Sequence, residues 1–167
     1  MPERGLSAIR PAPALAGLVR RAEDRLGQAT EWWEQLPVGN LRNHLFRQGV
    51  QYAVTWGGEK GVQAAGERLS SFKYLMDRTG TLPATEITGL EADYRLVLGR
   101  LSGTAREESR AWEAFVRERS HILRRGTPRW PANRILLQLA VEHADDSPVT
   151  RQAESWLARG HCDWLWL

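Results

Sequence analysis

Apolar positions recur along this chain at the spacing of one helix face, from about residue 14 to residue 157. Leu15, Leu18, Val19, Ala22 and Leu26 form the first stripe. They predict a helix from Ala14 that runs on to Trp32 and Trp33 before Pro37 ends it. Leu41, Leu45, Tyr52 and Val54 mark a second helix to Trp56, broken by Gly57-Gly58. A third is expected from Glu59 to Met76 on Val62, Ala65, Leu69, Phe72 and Met76, with Gly61 and Gly66 weakening it and Thr79-Gly80 as its stop. Pro83 and Thr85 open a fourth, with Leu90, Tyr94, Val97, Leu98 and Leu101 on one face and Ser102-Gly103 at its close. The fifth, Ala105 to Arg125, carries Trp112, Phe115, Val116, Ile122 and Leu123, and its final cations precede Gly126, which suits both dipole and cap. Trp130-Pro131 starts a sixth, with Pro131 at the first helical position and Ile135, Leu136, Leu139, Ala140 and His143 following. Ser147-Pro148 supplies an N-cap and a first-turn proline for the seventh, which bears Val149, Ala153, Trp156 and Leu157 and stops at Gly160.

These elements sum to an all-α fold of about seven antiparallel helices packed as helical hairpins, in an irregular α-solenoid or a bundle, because short connections force neighbours antiparallel. No repeat at a fixed period is present. Residues 1–13, with Pro2, Gly5, Pro11 and Pro13, read as a flexible lead-in. Residues 14–160 read as a single helical domain. Residues 161–167 (His-Cys-Asp-Trp-Leu-Trp-Leu) alternate like the start of a β-strand and are expected to form an extended aromatic tail.

Composition narrows the class. A chain of 167 residues fits one domain, and 42% hydrophobic with 26% charged residues is globular rather than disordered. No apolar run is long enough for a transmembrane helix, and no apolar stretch separates Arg4 and Arg10 from Arg20 in the manner of a signal peptide. The single cysteine, Cys162, excludes an internal disulfide and suits a reducing, cytoplasmic compartment.

The net charge of +3 comes from 23 basic against 20 acidic residues, and only Lys60 and Lys73 are lysines. Acids are interleaved with the arginines, as in Arg106-Glu107-Glu108-Ser109-Arg110 and Arg117-Glu118-Arg119, which is the pattern of a solvated helix face. The 8 tryptophans, against 3 Phe and 3 Tyr, change the picture more, because Trp is a favoured interface residue. An alternative reading joins the two features. In it, a small nucleic-acid-binding protein uses Arg20, Arg21, Arg25, Arg124, Arg125, Arg129 and Arg134 against phosphates and Trp as stacking platforms.

Candidate chemistry is sparse. Gly57-Gly58-Glu59-Lys60-Gly61 lacks the spacing and the Lys-Ser/Thr pair of a phosphate loop. His143, Asp145, Asp146, His161, Cys162 and Asp163 are ligand types, but there is no Cys-x-x-Cys or His-Glu-x-x-His, and neighbours in sequence point apart. Cys162 has no assigned base, and the pairs Glu107-Glu108 and Asp145-Asp146 fall at helix ends, where dipole and solvent account for them. A non-enzymatic protein without metal or cofactor is therefore expected, a site around His143 and His161 being the weakest of three readings.

Two segments carry a resemblance. One runs from Phe72 to Leu101 and begins FKYLMDRTGTLPATEITGLEADYRLVL. The other, Trp112 to Leu167, is WEAFVRERSHILRRGTPRWPANRILLQLAVEHADDSPVTRQAESWLARGHCDWLWL. Together, over roughly residues 65–167, they resemble the helical region of bacterial STAND-class (NACHT/AAA-type) signalling NTPases that leads into a C-terminal WD-repeat β-propeller. The chain departs from those proteins in having no Walker A loop and no WD repeats. The resemblance implies a linker or arm that couples a sensor to an NTPase, standing as a fragment, a truncated reading frame or a stand-alone relic, with the NTPase core and the propeller as its partners. Trp130, Trp156, Trp164, Trp166 and Leu167 would form the docking surface. Nucleic acid and membrane are not expected partners.

Overall fold

The computed structural model describes residues 36 and 38–164. The helix expected from Ala14 to Trp33 lies outside the described residues, as do Arg20, Arg21, Arg25, Trp166 and Leu167. Nearly all the described residues belong to one compact unit, Val38–Leu167. Among them the regular structure is entirely helical: α1 (Asn40–Trp56), α2 (Gly58–Leu69), α3 (Phe72–Thr81), a 3-10 turn (Ala84–Glu86), α4 (Ile87–Leu98), α5 (Gly103–Leu123), α6 (Ala132–Val141) and α7 (Pro148–Ala158).

Consecutive helices pair as hairpins, α1 with α2, α4 with α5, and α6 with α7. Contacts between non-neighbours assemble these pairs into two groups of four. In the first, α1 touches α2 and α4, and α5 touches α2 and α4. In the second, α3 packs on α6 and α7, and α5 packs on both of them too. The two groups share α5. At 21 residues it is about 31 Å long, enough to serve both.

The periodicity of α5 explains how. Ser109, Trp112, Phe115, Val116, Ser120 and Leu123 are buried along it. The Trp112 ring meets Phe72 of α3 at 6.3 Å and Phe115 edge-on at 6.4 Å, while Ser109 Oγ lies 3.0 Å from Ser70 Oγ. Fully burying a side chain of this kind contributes about 1.5–3 kcal/mol, so this row of contacts is a principal source of cohesion.

The α1–α2 corner is set by glycine. Gly58 has φ +60°, a left-handed conformation that side-chain-bearing residues rarely adopt. One turn later Gly61 passes so near Ala53 that a Cβ there would overlap the Ala53 carbonyl oxygen.

Three expectations need correction. The helix expected over Glu59–Met76 is two helices, α2 and α3, separated at Ser70-Ser71. All five apolar positions expected on it are buried, but the backbone bends between them. Its reason is local competition for hydrogen bonds: Ser71 caps α3 by accepting from the Tyr74 N–H, and serine offers the chain this exit from a helix. The exposed polar groups of the break are then taken up from afar. Gln152 of α7 accepts from the Phe72 N–H (2.9 Å) and donates to the Ser70 carbonyl (2.9 Å), and Tyr94 Oη donates to the Leu69 carbonyl (2.6 Å). The helix also passes the expected stop at Thr79-Gly80 and ends at Thr81, with extended Leu82 as its C-cap before Pro83.

Second, Pro131 is the N-cap of α6 rather than its first residue. Its ψ of 161° is extended, so helical geometry begins at Ala132. Third, His161–Trp164 form no strand; Cys162 Sγ instead lies 3.0 Å from the Trp164 carbonyl oxygen, a local turn. By contrast, α7 starts as its sequence requires, with the Ser147 side chain accepting from the Val149 N–H and Pro148 in the first turn.

Candidate interaction surface

The connection from α5 to α6 is a short structured loop. Arg125 N–H bonds the Ile122 carbonyl and Gly126 N–H that of Leu123, closing the last turn of α5. Thr127 N–H then donates to the Trp130 carbonyl at 2.9 Å, and its hydroxyl accepts from the Trp130 N–H at 3.0 Å. This clasp fixes Trp130 at the edge of the molecule with 37% of its surface exposed.

Arg134 lies four residues on, in the first turn of α6. Its guanidinium carbon sits 5.0 Å from the Trp130 ring centre and 5.1 Å from that of Trp164. The two indoles are 5.8 Å apart and nearly perpendicular at 72°. A guanidinium over an indole ring gains about 0.5–2 kcal/mol from each such contact. These contacts position Trp164, which follows α7 by several residues, against the start of α6.

Trp156 plays another part. Half-buried on α7, it meets Phe72 edge-on at 5.9 Å and His161 at 5.3 Å. With Trp112, Phe115 and His143, the last 5.1 Å from Phe115, these rings form one aromatic row through the second helix group. Of the five residues expected at an interface, the structure therefore brings Trp130 and Trp164 together and turns Trp156 inward, while Trp166 and Leu167 are outside the described residues.

The arginines of the nucleic-acid reading do not act alike. Arg124 pairs with Glu91 at 2.5 Å, Arg134 is engaged by the indoles, and Arg125 and Arg129 are exposed on the loop. His143 and His161 contact different aromatic residues, Phe115 and Trp156. Among the described residues no three His, Cys, Asp or Glu side chains gather as a metal site, and no helix is long and apolar enough to cross a membrane.

The strongest electrostatic feature lies in the core. Arg78 Nη1 donates to Asp93 Oδ2 at 2.6 Å and to Tyr74 Oη at 3.4 Å, with 3% and 10% of the Arg78 and Asp93 side chains exposed. Burial pushes the Asp93 carboxyl above its ordinary range, against the pull of Arg78. Burial opposes the Arg78 charge as well, but Tyr74 and Asp93 more than offset it and hold the guanidinium above its ordinary value. Enclosed among α3 and α4, this pair is a structural tie. A separate open cleft of about 540 Å³ lies where Gly58 of α2 faces the α4–α5 connection, with Val54, Val62 and Leu101 among its walls and Glu59 and Arg100 beside them.

Sequence reasoning missed three arrangements: the Arg134–indole cluster, the Arg78–Asp93 tie and the Gln152 bracket. Comparison with protein-family models, with curated proteins and with solved structures gives no match to this chain.

Proposed function

We propose that this chain is a non-catalytic α-helical interaction or coupling module, similar to the linker between the NTPase core and the WD-repeat sensor of a STAND signalling protein. The observation that carries the reading is the aromatic edge at Trp130 and Trp164, pinned by Arg134 while Trp130 keeps 37% of its surface in solvent. Rigid, partly exposed Trp and Arg side chains are the residues that most often dominate binding energy. In this reading α5 is the lever. It belongs to both helix groups, so a partner that favours one arrangement of the first group biases the second through it.

The test begins with the coding DNA on both sides of this reading frame. An NTPase core encoded upstream and WD repeats downstream are the expected neighbours. The purified chain should then bind the purified propeller, with a change in tryptophan emission that is lost in Trp130→Ala. Neighbouring genes of unrelated type, together with no binding to a WD-repeat propeller, would sink the proposal.

A further inference from the structure

The geometry points to Arg134 as a carboxylate receptor: the Trp130–Arg134–Trp164 surface docks an acidic segment of a partner protein. This rests on the interaction reading above and names the chemistry of the partner at that surface. Three observations carry it.

The first is the state of the guanidinium. Its carbon lies over the rings of Trp130 and Trp164, yet among the described residues the guanidinium N–H groups make no hydrogen bond and form no ion pair. Arg124, ten residues earlier, meets Glu91, and Arg78 meets Asp93. Arg134 is ordered by π contacts alone, which leaves the edge donors of a planar fork to match a carboxylate. Since the fork is held before binding, little side-chain entropy remains to be lost when it is occupied.

The second is charge. The loop leading into α6 adds exposed Arg125 and Arg129 beside Trp130, and the acidic residue next to Trp164 in sequence is Asp163. Exposed arginines on the loop that carries Trp130 complement an acidic segment.

The third decides between an acidic protein segment and a nucleic acid, both of which are anionic. Base stacking needs open indole faces. Here Arg134 lies over both rings, and the rings meet each other at 72°. Arg134 thus occupies one face of each ring and the rings partly cover each other, so the pair is not an open stacking platform and carries guanidinium donors beside it. That combination suits carboxylates flanked by apolar side chains better than stacked bases.

The experiment titrates the full chain with an N-acetylated, C-amidated oligoglutamate peptide. Amide, indole and arginine Nε–H signals are followed by NMR at about 0.15 M salt, where long-range attraction is largely screened. The expected result is that the Arg134 Nε–H and Trp130 indole signals shift first. Arg134→Gln should weaken binding about tenfold in a chain whose amide spectrum away from α6 stays that of the parent, Arg134→Lys should recover only part of it, and Arg100→Gln should have no effect. Shifts spread evenly over the exposed arginines, or an Arg134→Gln variant that binds as well as the parent, overturn the inference. So does oligothymidylate binding at the same signals more tightly than the peptide, which would install the nucleic-acid reading instead. If the propeller binds and Arg134→Gln leaves that binding unchanged, the interaction module stands and only the receptor role of Arg134 fails. If the peptide binds at Arg134 but the propeller does not, the reverse holds.

Discussion

Removing the Gln152 side chain should cost this fold more than an ordinary change on a half-buried helix face. The amide makes two hydrogen bonds of 2.9 Å, one from the Phe72 N–H and one to the Ser70 carbonyl, across 80 and 82 residues of sequence. In Gln152→Ala both backbone groups lose their partner. An unsatisfied buried group costs about 1–3 kcal/mol, and the half-buried setting favours the lower end because some water can reach it. Two groups give about 2 kcal/mol, offset by a few tenths from the better helix propensity of alanine. The net expectation is about 1.5–2 kcal/mol. With a urea m-value of about 2 kcal/mol/M, the unfolding midpoint should fall by roughly 0.8–1 M at constant m. Hydrogen exchange adds a local readout, since the Phe72 amide should lose protection while amides inside α5 change only with global stability. Gln152→Glu sharpens the test by keeping the acceptor and losing the donor at neutral pH, so Phe72 should stay protected as the Ser70 carbonyl loses its partner. A midpoint shift below about 0.2 M with an unaltered Phe72 amide would refute the reasoning, and the break at Ser70-Ser71 would then be held by Ser71 and Tyr94 alone.

Gly61→Ala should lower stability by about 1–3 kcal/mol, since the new methyl overlaps the Ala53 carbonyl and the corner between α1 and α2 must open; a thermal melt unchanged from the parent would contradict that geometry. Asp93→Ala strands the buried Arg78 charge and should cost about 3–5 kcal/mol, whereas Arg78→Met with Asp93→Leu should cost clearly less; a double variant as damaged as the single one would show that the tie itself is net stabilising. Burial raises the Tyr94 hydroxyl well above its ordinary 10.0, so between the two values the unfolded chain releases a proton that the folded chain keeps. Stability is therefore full below about pH 10 and falls as pH climbs above it; urea midpoints measured from about pH 9 to 11 should fall less steeply in Tyr94→Phe, with Tyr52, also raised by burial, supplying the remainder.

Where the sequence carries its own punctuation, structure follows it closely. Gly57-Gly58 separates α1 from α2, and Ser147-Pro148 opens α7 with the cap and proline it announces. The apolar stripe of α5 is buried at Trp112, Phe115, Val116 and Leu123. The hidden features are those made between distant segments. An unbroken stripe from Val62 to Met76 reads as one helix, because periodicity is blind to a bend that keeps both halves facing the core. Only the arrival of Gln152 and Tyr94 makes the break affordable, and neither is visible from Ser70. Pro131 misled by one residue because proline suits both an extended cap and a first helical turn. The candidate surface was half legible: Trp130 and Trp164 stand out by residue type, but their meeting around Arg134 depends on where the chain returns after α7. Trp156 has the same residue type and the opposite role.

The bracket at Ser70-Ser71 also bears on the order in which the chain takes shape. Synthesis delivers α2 and α3 long before residue 152 leaves the ribosome, and during that interval no side chain is present to hold the Ser70 carbonyl and the Phe72 N–H. The elbow that Ser71 opens and Tyr94 supports therefore stays loosely held at that stage. Arrival of α7 secures it and in the same step brings Trp156 onto Phe72. The seventh helix thus acts as a late-arriving clamp on an earlier bend, and the second helix group closes only after residue 152 has been made.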